Sequence, residues 1–333
     1  MIQAPDCRVL TLGEPLVLFA ATEAGPLVDA DRFERFAAGA ELNVAIGLAR
    51  LGCEVGYLAR VGDDSFGQYL LGVLDREGID RRGVMVDRDR PTGFMLKSRA
   101  DDGRDPAIEY HRRGSAASAM SEGTMPTTLG PRTRYLHLTG ISPALSDSCR
   151  RLVLRLARAA RDAGCRVSFD PNLRPRLWPD QSTMVATLGE LAALADIVLP
   201  GLAEGRLLTG CETPQEIARH YLKRGAQEVV VKLGSDGAFC ADRSGVAEFV
   251  AGVPVARVVD TVGAGDAFAV GVLSARLEGL SLQAAAGRGN VLGARAVRFP
   301  GDSDGLPTRA QLYAEISEPG RSSTTRQTGW HAV

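Results

Sequence analysis

Residues Asp260-Thr261-Val262-Gly263-Ala264-Gly265-Asp266-Ala267-Phe268 bring together the parts of a phosphoryl-transfer site. An apolar, β-branched run, Val253 to Val259, precedes them, and a helical pattern runs on through Val272 to Leu277. Small residues at 263–265 let the backbone turn sharply and approach a ligand closely. The first N–H groups of the following helix lack intrahelical partners and can receive an anion. Asp266 projects a carboxylate into the same corner, where it is expected to stay ionised at neutral pH. Amides that hold developing charge, beside a carboxylate that accepts a hydroxyl proton, suit transfer of a phosphoryl group to an alcohol. The turn also has a plainer reading. Gly-rich connections into helices are common, and an Asp in a first turn favours the helix dipole.

A sheet end must carry such a corner, and the remaining pattern supplies one. Residues 8–20 read as a strand broken at Gly13-Glu14-Pro15, because Pro is poorly tolerated in a central strand. Ala38-Gly39-Ala40-Glu41-Leu42-Asn43 leads into an amphipathic helix ending near Gly52, then a strand (55–61) and a helix (66–77). From Gly83 to Gly114 short alternating segments (84–86, 93–98, 108–111) are separated by charged turns such as Asp101-Asp102-Gly103-Arg104. They read as antiparallel strands with one wet face, a lid over a ligand cleft that shares material with residues 8–20. Strands at 135–138, 167–170, 197–199 and 228–233 then alternate with helices at 148–163 and 182–195 and from about 203 and 214. Two short strands (238–241, 246–250) precede the glycine turn, and a helix over 282–297 comes after its own. Repeated β-α units predict a mostly parallel sheet between helical layers, with ligands at the carboxyl ends of the strands. Asp170, Gly234, Asp260 and the glycine turn all fall there. One domain is expected over 1–316, and the Ser-, Thr-, Gly- and Arg-rich tail, 317–333, is expected to be disordered.

Composition narrows the field. A net charge of −1 argues against a general nucleic-acid binder. No apolar run reaches the roughly 18 residues of a candidate membrane span, and no signal-peptide pattern opens the chain, which points to the cytoplasm. Six scattered cysteines without a C-x-x-C read as free thiols, and four histidines show no metal-ligand spacing. No G-x-G-x-x-G or G-x-x-x-x-G-K-[ST] nucleotide loop is present.

Residues 260–268 match, nearly letter for letter, the C-terminal signature of the PfkB, or ribokinase-like, family of carbohydrate kinases. Gly39-Ala40-Glu41-Leu42-Asn43, with Leu51-Gly52, resembles the N-terminal signature, and the likeness spans about residues 8 to 315. It implies an α/β fold: a ribokinase-like three-layer α/β/α sandwich with a mostly parallel central sheet plus a small β-sheet lid. It further implies ATP as donor, Mg²⁺ on its phosphates, Asp266 as base, and backbone N–H groups of Gly263, Ala264 and Gly265 around the transferring phosphate. Within the family the chain is most similar to the kinases of 2-keto-3-deoxygluconate. That likeness is carried by Gly13–Val17, Glu109–Ala116, Tyr135–Ile141, Asp170–Arg174 with Leu177-Trp178, and Gly301-Asp302 with Gly305-Leu306-Pro307. The implied reaction is phosphorylation of the sugar acid's 6-hydroxyl, so the implied partners are that small molecule and ATP, with no nucleic acid or membrane.

The same resemblance assigns roles. Arg112 and Arg174 would pair with the substrate carboxylate and Tyr110 would donate to it, although arginines in turns are usually solvated. Gly39 and Asn43 correspond to sugar-binding positions, and Glu14 lies where the family contacts substrate, though it could simply close a turn. Lys232-Leu233-Gly234-Ser235-Asp236-Gly237 resembles the nucleotide edge (Lys232, Gly234, Ser235, Gly237, with Gly263 and Gly265 opposite), and Asn290 falls near the adenine site. Two departures stand out. The family's Asn-x-x-Glu, which orders Mg²⁺, is Gly201-Leu202-Ala203-Glu204 here, keeping Glu204 but no amide, and Met95 replaces a sugar-facing tyrosine. Several relatives bind a monovalent cation such as K⁺ near the turn, which these residues do not establish. Kinases of fructose or 2-keto-3-deoxygalactonate remain open alternatives, as does a non-catalytic sugar sensor. The lid's exposed face suggests a homo-oligomer.

Overall fold

The computed structural model describes residues 4–99 and 106–317. The charged turn expected at 101–104 lies outside the described residues, as does the expected tail save for Ser317, the last residue of a helix. The first half comprises β1 (Val9–Leu12), β2 (Leu16–Ala24), β3 (Phe33–Ala38), α1 (Ala40–Arg50), β4 (Val55–Gly62), α2 (Ser65–Arg76), β5 (Asp80–Asp87), β6 (Phe94–Arg99) and β7 (Ile108–His111). Then come β8 (Tyr135–Thr139), α3 (Asp147–Asp162), β9 (Arg166–Asp170), α4 (Gln181–Leu194), β10 (Ile197–Val198), α5 (Leu202–Thr209), α6 (Pro214–Arg224) and β11 (Glu228–Lys232). The chain continues through β12 (Gly237–Asp242), β13 (Ala247–Ala251), α7 (Ala264–Leu277), α8 (Leu282–Ala296) and α9 (Arg309–Ser317).

Among the described residues nine strands form one sheet in the order β13-β12-β11-β10-β9-β8-β1-β4-β5, paired parallel except for the β11–β12 and β12–β13 pairs at one edge. Successive side chains of a strand point to opposite faces, so its central strands feed two cores. Val9 and Tyr57 pack with Leu42, Ile46, Val270 and Leu273 of α1 and α7. Leu10 and Leu58 pack with Leu152, Leu156, Leu188 and Ile217 of α3, α4 and α6. Burial on both sides is why these strands read as continuous apolar runs.

The second sheet has the order β3-β2-β6-β7, with its own small core of Leu16, Leu18, Ala20, Ala38 and Met95. The break at Gly13-Glu14-Pro15 is the point where the chain leaves the large sheet as β1 and enters the small one as β2. Two details differ from the sequence reading. Val84 to Val86 lie in β5, paired parallel with β4 at the edge of the large sheet, and Phe33–Ala38 supplies the fourth strand of the small sheet. An edge strand covered on one side alternates like a lid strand, so periodicity could not assign its sheet. The β-branched run Val253 to Val259 forms no strand. Val258 is half exposed, Pro254 has no N–H to donate, and the N–H groups of Val259 and Asp260 donate to the Val297 carbonyl.

Candidate active site

The carboxyl ends of β9, β10 and β11 and the N-terminus of α7 meet beneath the small sheet and enclose two cavities of about 460 Å³ each. One is lined by Glu14, Gly39, Asn43, Tyr110, Arg112, Arg174, Glu204, Gly263 and Asp266, together with Met95 and Gly201. The other is lined by Gly234, Ser235, Gly237, Ala264, Phe268 and Asn290, with valines of the 253–258 segment as an apolar wall. Lys232, Thr261 and Gly265 line both. The glycine turn is therefore the partition between a polar cleft and an apolar one, and every candidate residue named from the sequence lies on one or the other.

Backbone geometry at the turn demands glycine. Gly263 has φ of 82°, and a Cβ there would lie 2.5 Å from the Asp302 carbonyl oxygen. Of the first four N–H groups of α7, that of Ala264 donates to the Thr261 carbonyl at 3.4 Å and that of Ala267 to Gly263 at 2.9 Å. Those of Gly265 and Asp266 have no acceptor among the described residues, which leaves an anion site at a helix N-terminus. Ala264 is thus partly committed to its own turn. Gly39, at φ of 127°, packs against the Glu14 carbonyl in the same way, 2.5 Å from a hypothetical Cβ.

Asp266 is buried at the base of the polar cleft. Asn43 Nδ2 donates to its Oδ2 at 2.8 Å and Asn172 Nδ2 to its Oδ1 at 3.1 Å. Burial pushes its carboxyl up to about 7; the Asn43 hydrogen bond and the Arg174 charge pull it down, while Asp170 and Asp302 push it further up. The expectation that it would stay ionised at neutral pH is corrected by this desolvation, which leaves the carboxyl poised near its midpoint there. A group poised near neutrality is a stronger general base than an ordinary carboxylate. Asn43 Oδ1 is buried and has no hydrogen-bond partner among the described residues, so the residue, which lines the cleft, serves Asp266 through its nitrogen and keeps an unpaired acceptor.

The two arginines separate. Arg112 is buried and its guanidinium is held by Glu14, with Nε 2.6 Å from Oε2, while Ser115 donates to the other Glu14 oxygen. Both expected substrate contacts in this pair are thereby largely spent on each other. Arg174 is exposed at the cleft and bonds only its neighbouring Leu173 carbonyl among the described residues, which leaves most of its donors for a ligand. Lys232 Nζ lies 2.6 Å from Asp170 Oδ2, and that carboxylate holds the ammonium above its ordinary range despite burial. Glu204 accepts from the N–H groups of Leu173 at 2.8 Å and Gly201 at 2.6 Å, so it caps α5 as well as facing the cleft. Asn290 donates to the carbonyls of Val250 and Ala251, which ties β13 to α8 and leaves its Oδ1 for a ligand.

Comparison with known proteins decides the family. The model of the pfkB family of carbohydrate kinases matches residues 8–309. The chain belongs to the pfkB family. It is 48% identical over 310 residues to a 2-dehydro-3-deoxygluconokinase of Bacillus subtilis, covering 92% of this chain and 95% of that one. It is 35% identical over 303 residues to a 2-dehydro-3-deoxygluconokinase of Thermoproteus tenax, covering 90% and 91%. Among solved structures, a PfkB protein from Polaromonas sp. JS666 has a TM-score of 0.85 at 47% identity, covering 92% of this chain and 99% of that one. A ribokinase II of E. coli in complex with ATP and Mg²⁺ gives 0.86 at 27% identity, covering 93% and 99%. A fructokinase from Vibrio cholerae in a fructose-, ADP- and potassium-bound form gives 0.82 at 27%, covering 94% and 99%.

The protein is accordingly a carbohydrate kinase with the ribokinase-like α/β fold. Two residues of this pfkB site were given no role in the sequence reading. Asn172 stands just after β9 with φ of 39°, a left-handed conformation that Asn tolerates better than most residues, and this aims its amide at Asp266. Lys97, on β6, is buried against the loop that backs the glycine turn. Asn172 lies in the Asp170-Pro171-Asn172-Leu173-Arg174 stretch and was within reach of sequence reasoning; nothing local marks Lys97. Among the described residues no helix is long and apolar enough to cross a membrane, and no group of three or more His, Cys, Asp or Glu could hold a metal ion.

Proposed function

We propose that this carbohydrate kinase transfers the γ-phosphoryl group of ATP to the 6-hydroxyl of 2-keto-3-deoxygluconate. The observation that carries the reading is the buried Asp266, set beside the glycine turn where a polar cleft and an apolar one adjoin. The sugar occupies the polar cleft with its terminal hydroxyl toward Asp266, and the adenine enters the apolar one between the 253–258 segment and α8. The hydroxyl oxygen bonds to the γ-phosphorus, the bond from that phosphorus to the β,γ-bridging oxygen breaks, and the proton passes to Asp266. ADP carries away the electron pair. The N–H groups of Gly265 and Asp266 and the Lys232 ammonium receive the charge on the phosphate oxygens.

Arg174 supplies the bidentate partner of the substrate carboxylate, and Tyr110 on β7 lies in the same cleft wall. The relatives named for 2-dehydro-3-deoxygluconate support this choice. The small sheet acts as a lid that excludes water. The residues present fit Mg²⁺ carried on ATP, because such a metal keeps several waters and needs few protein ligands. Glu204 is the cleft carboxylate toward which that water shell would turn, and the bound ion would supply neutralisation of the phosphate charge. A K⁺ beside the turn does not fit, since the oxygens there close on the ammonium of Lys97.

Coupled ADP-release assays with 2-keto-3-deoxygluconate, 2-keto-3-deoxygalactonate and fructose test the reading. The highest kcat/KM is expected for the first. Preference for fructose, or tight sugar binding with no turnover on any of the three, would overturn it.

A further inference from the structure

Lys97 is 3% exposed and points from β6 away from its own sheet. Its Nζ lies 2.6 Å from Asp260 Oδ2, 2.8 Å from the Pro300 carbonyl oxygen and 3.0 Å from Asp302 Oδ1. An ammonium has three donors, and these three oxygens use them all. Both carboxylates are themselves buried. Two walls of this cage adjoin the glycine turn. Asp260 Oδ1 accepts the Val262 N–H at 2.9 Å, and the Asp302 carbonyl is the atom against which Gly263 packs. Two positions earlier on the same face of β6, Met95 lines the polar cleft. One side chain therefore joins the lid sheet to both sides of the glycine turn.

We infer that Lys97 is a positioning residue and the resident cation of the glycine turn, its ammonium filling an oxygen cage that would otherwise need a monovalent ion from solution. Two carboxylates and a carbonyl are a donor set that hard cations take. A cation attached to the chain is already localised and loses little freedom on binding, so it outcompetes a free one. Without it, Asp260 and Asp302 would stand unneutralised against each other and against the arriving polyphosphate.

The kinetic arm of the test rests on the phosphoryl-transfer reading; the ion-binding arm does not. The variant is Lys97→Met, which keeps the length and removes the charge. Thermal unfolding is compared in KCl and in tetramethylammonium chloride at equal ionic strength. The wild type is expected to unfold at the same temperature in both, within about 1 °C, and the variant several degrees higher in KCl, because an ion that binds only the folded state stabilises it. In turnover, the wild type should be indifferent to K⁺ within about twofold. The variant should lose about 10- to 100-fold in kcat with little change in sugar KM, and regain part of it with K⁺. A wild type whose melting temperature or rate rises with K⁺ overturns the inference. So does a variant that turns over like wild type, or one whose stability and rate both ignore K⁺. Should Lys97→Met fail to fold, the wild-type titration and Lys97→Arg, expected to stay K⁺-indifferent, decide alone. If no sugar is phosphorylated, the proposed substrate falls and the unfolding comparison still judges Lys97.

Discussion

Replacing Asp266 with asparagine should stabilise the protein while stopping the reaction, and the gain should grow with pH. The folded carboxyl titrates at about 7 against 3.8 for the exposed group, chiefly because burial disfavours its charge. As pH rises above 3.8 the unfolded chain releases its proton while the folded chain keeps it. Stability therefore falls with pH until about 7 and is level beyond. At about 1.36 kcal/mol for each tenfold change in proton affinity, that gap makes about 4 kcal/mol an upper bound for the cost. The amide of the variant would not titrate and would escape it. Against the gain, Asp266 accepts from both Asn43 and Asn172, and an amide offers one oxygen, so one hydrogen bond worth about 1 kcal/mol is at stake. Rotation of the Asn43 amide would bring its unpartnered Oδ1 to the new NH₂ and recover part of that. The net expectation is about 1–3 kcal/mol in favour of Asp266→Asn at pH 8, shrinking to under about 1 kcal/mol at pH 5. That amounts to about 2–5 °C at the higher pH for a chain of this size. Thermal unfolding of both proteins without nucleotide, from about pH 5 to 8.5, measures it. In parallel, kcat should fall by about 10²- to 10⁴-fold, and wild-type kcat/KM should climb with pH up to about 7. A variant less stable than wild type at pH 8, or a stability gap independent of pH, would refute the desolvated-base argument.

Three further substitutions probe the remaining parts. Arg174→Ala should raise the KM for the sugar acid about 10- to 100-fold, the worth of a charge-assisted hydrogen bond, and leave a neutral hexose unaffected in initial-rate assays. Gly263→Ala forces a Cβ to 2.5 Å from the Asp302 oxygen at φ of 82°, so kcat should drop by about 10²-fold or more and the melting temperature should fall. Glu14→Ala leaves the buried Arg112 charge unpaired at a cost of about 3 kcal/mol, read as a lowered melting temperature by calorimetry. An unchanged value there would show that Arg112 finds other partners.

Much of the architecture was legible in the residues. The β-α alternation announced a parallel sheet, Gly13-Glu14-Pro15 marked a break in the first strand, and residues 260–268 stood out because a glycine turn is a local feature. Edge strand β5 was not assignable, since a half-covered strand alternates the same way whichever sheet it joins.

By itself the sequence showed which residue types lie where along the chain: a carboxylate after a glycine turn, arginines in connecting turns, and glycines just after the 228–233 apolar run. Tertiary structure alone decided how each was spent. Arg112 is committed to Glu14, 98 residues away; Asp266 is gripped by Asn43 across 223 residues; Lys97 is drawn across 163 to Asp260. The near-neutral carboxyl of Asp266 likewise follows from loss of water around it. Periodicity and spacing report a residue's neighbours along the chain, whereas desolvation and ion pairing are set by whatever the fold packs around it.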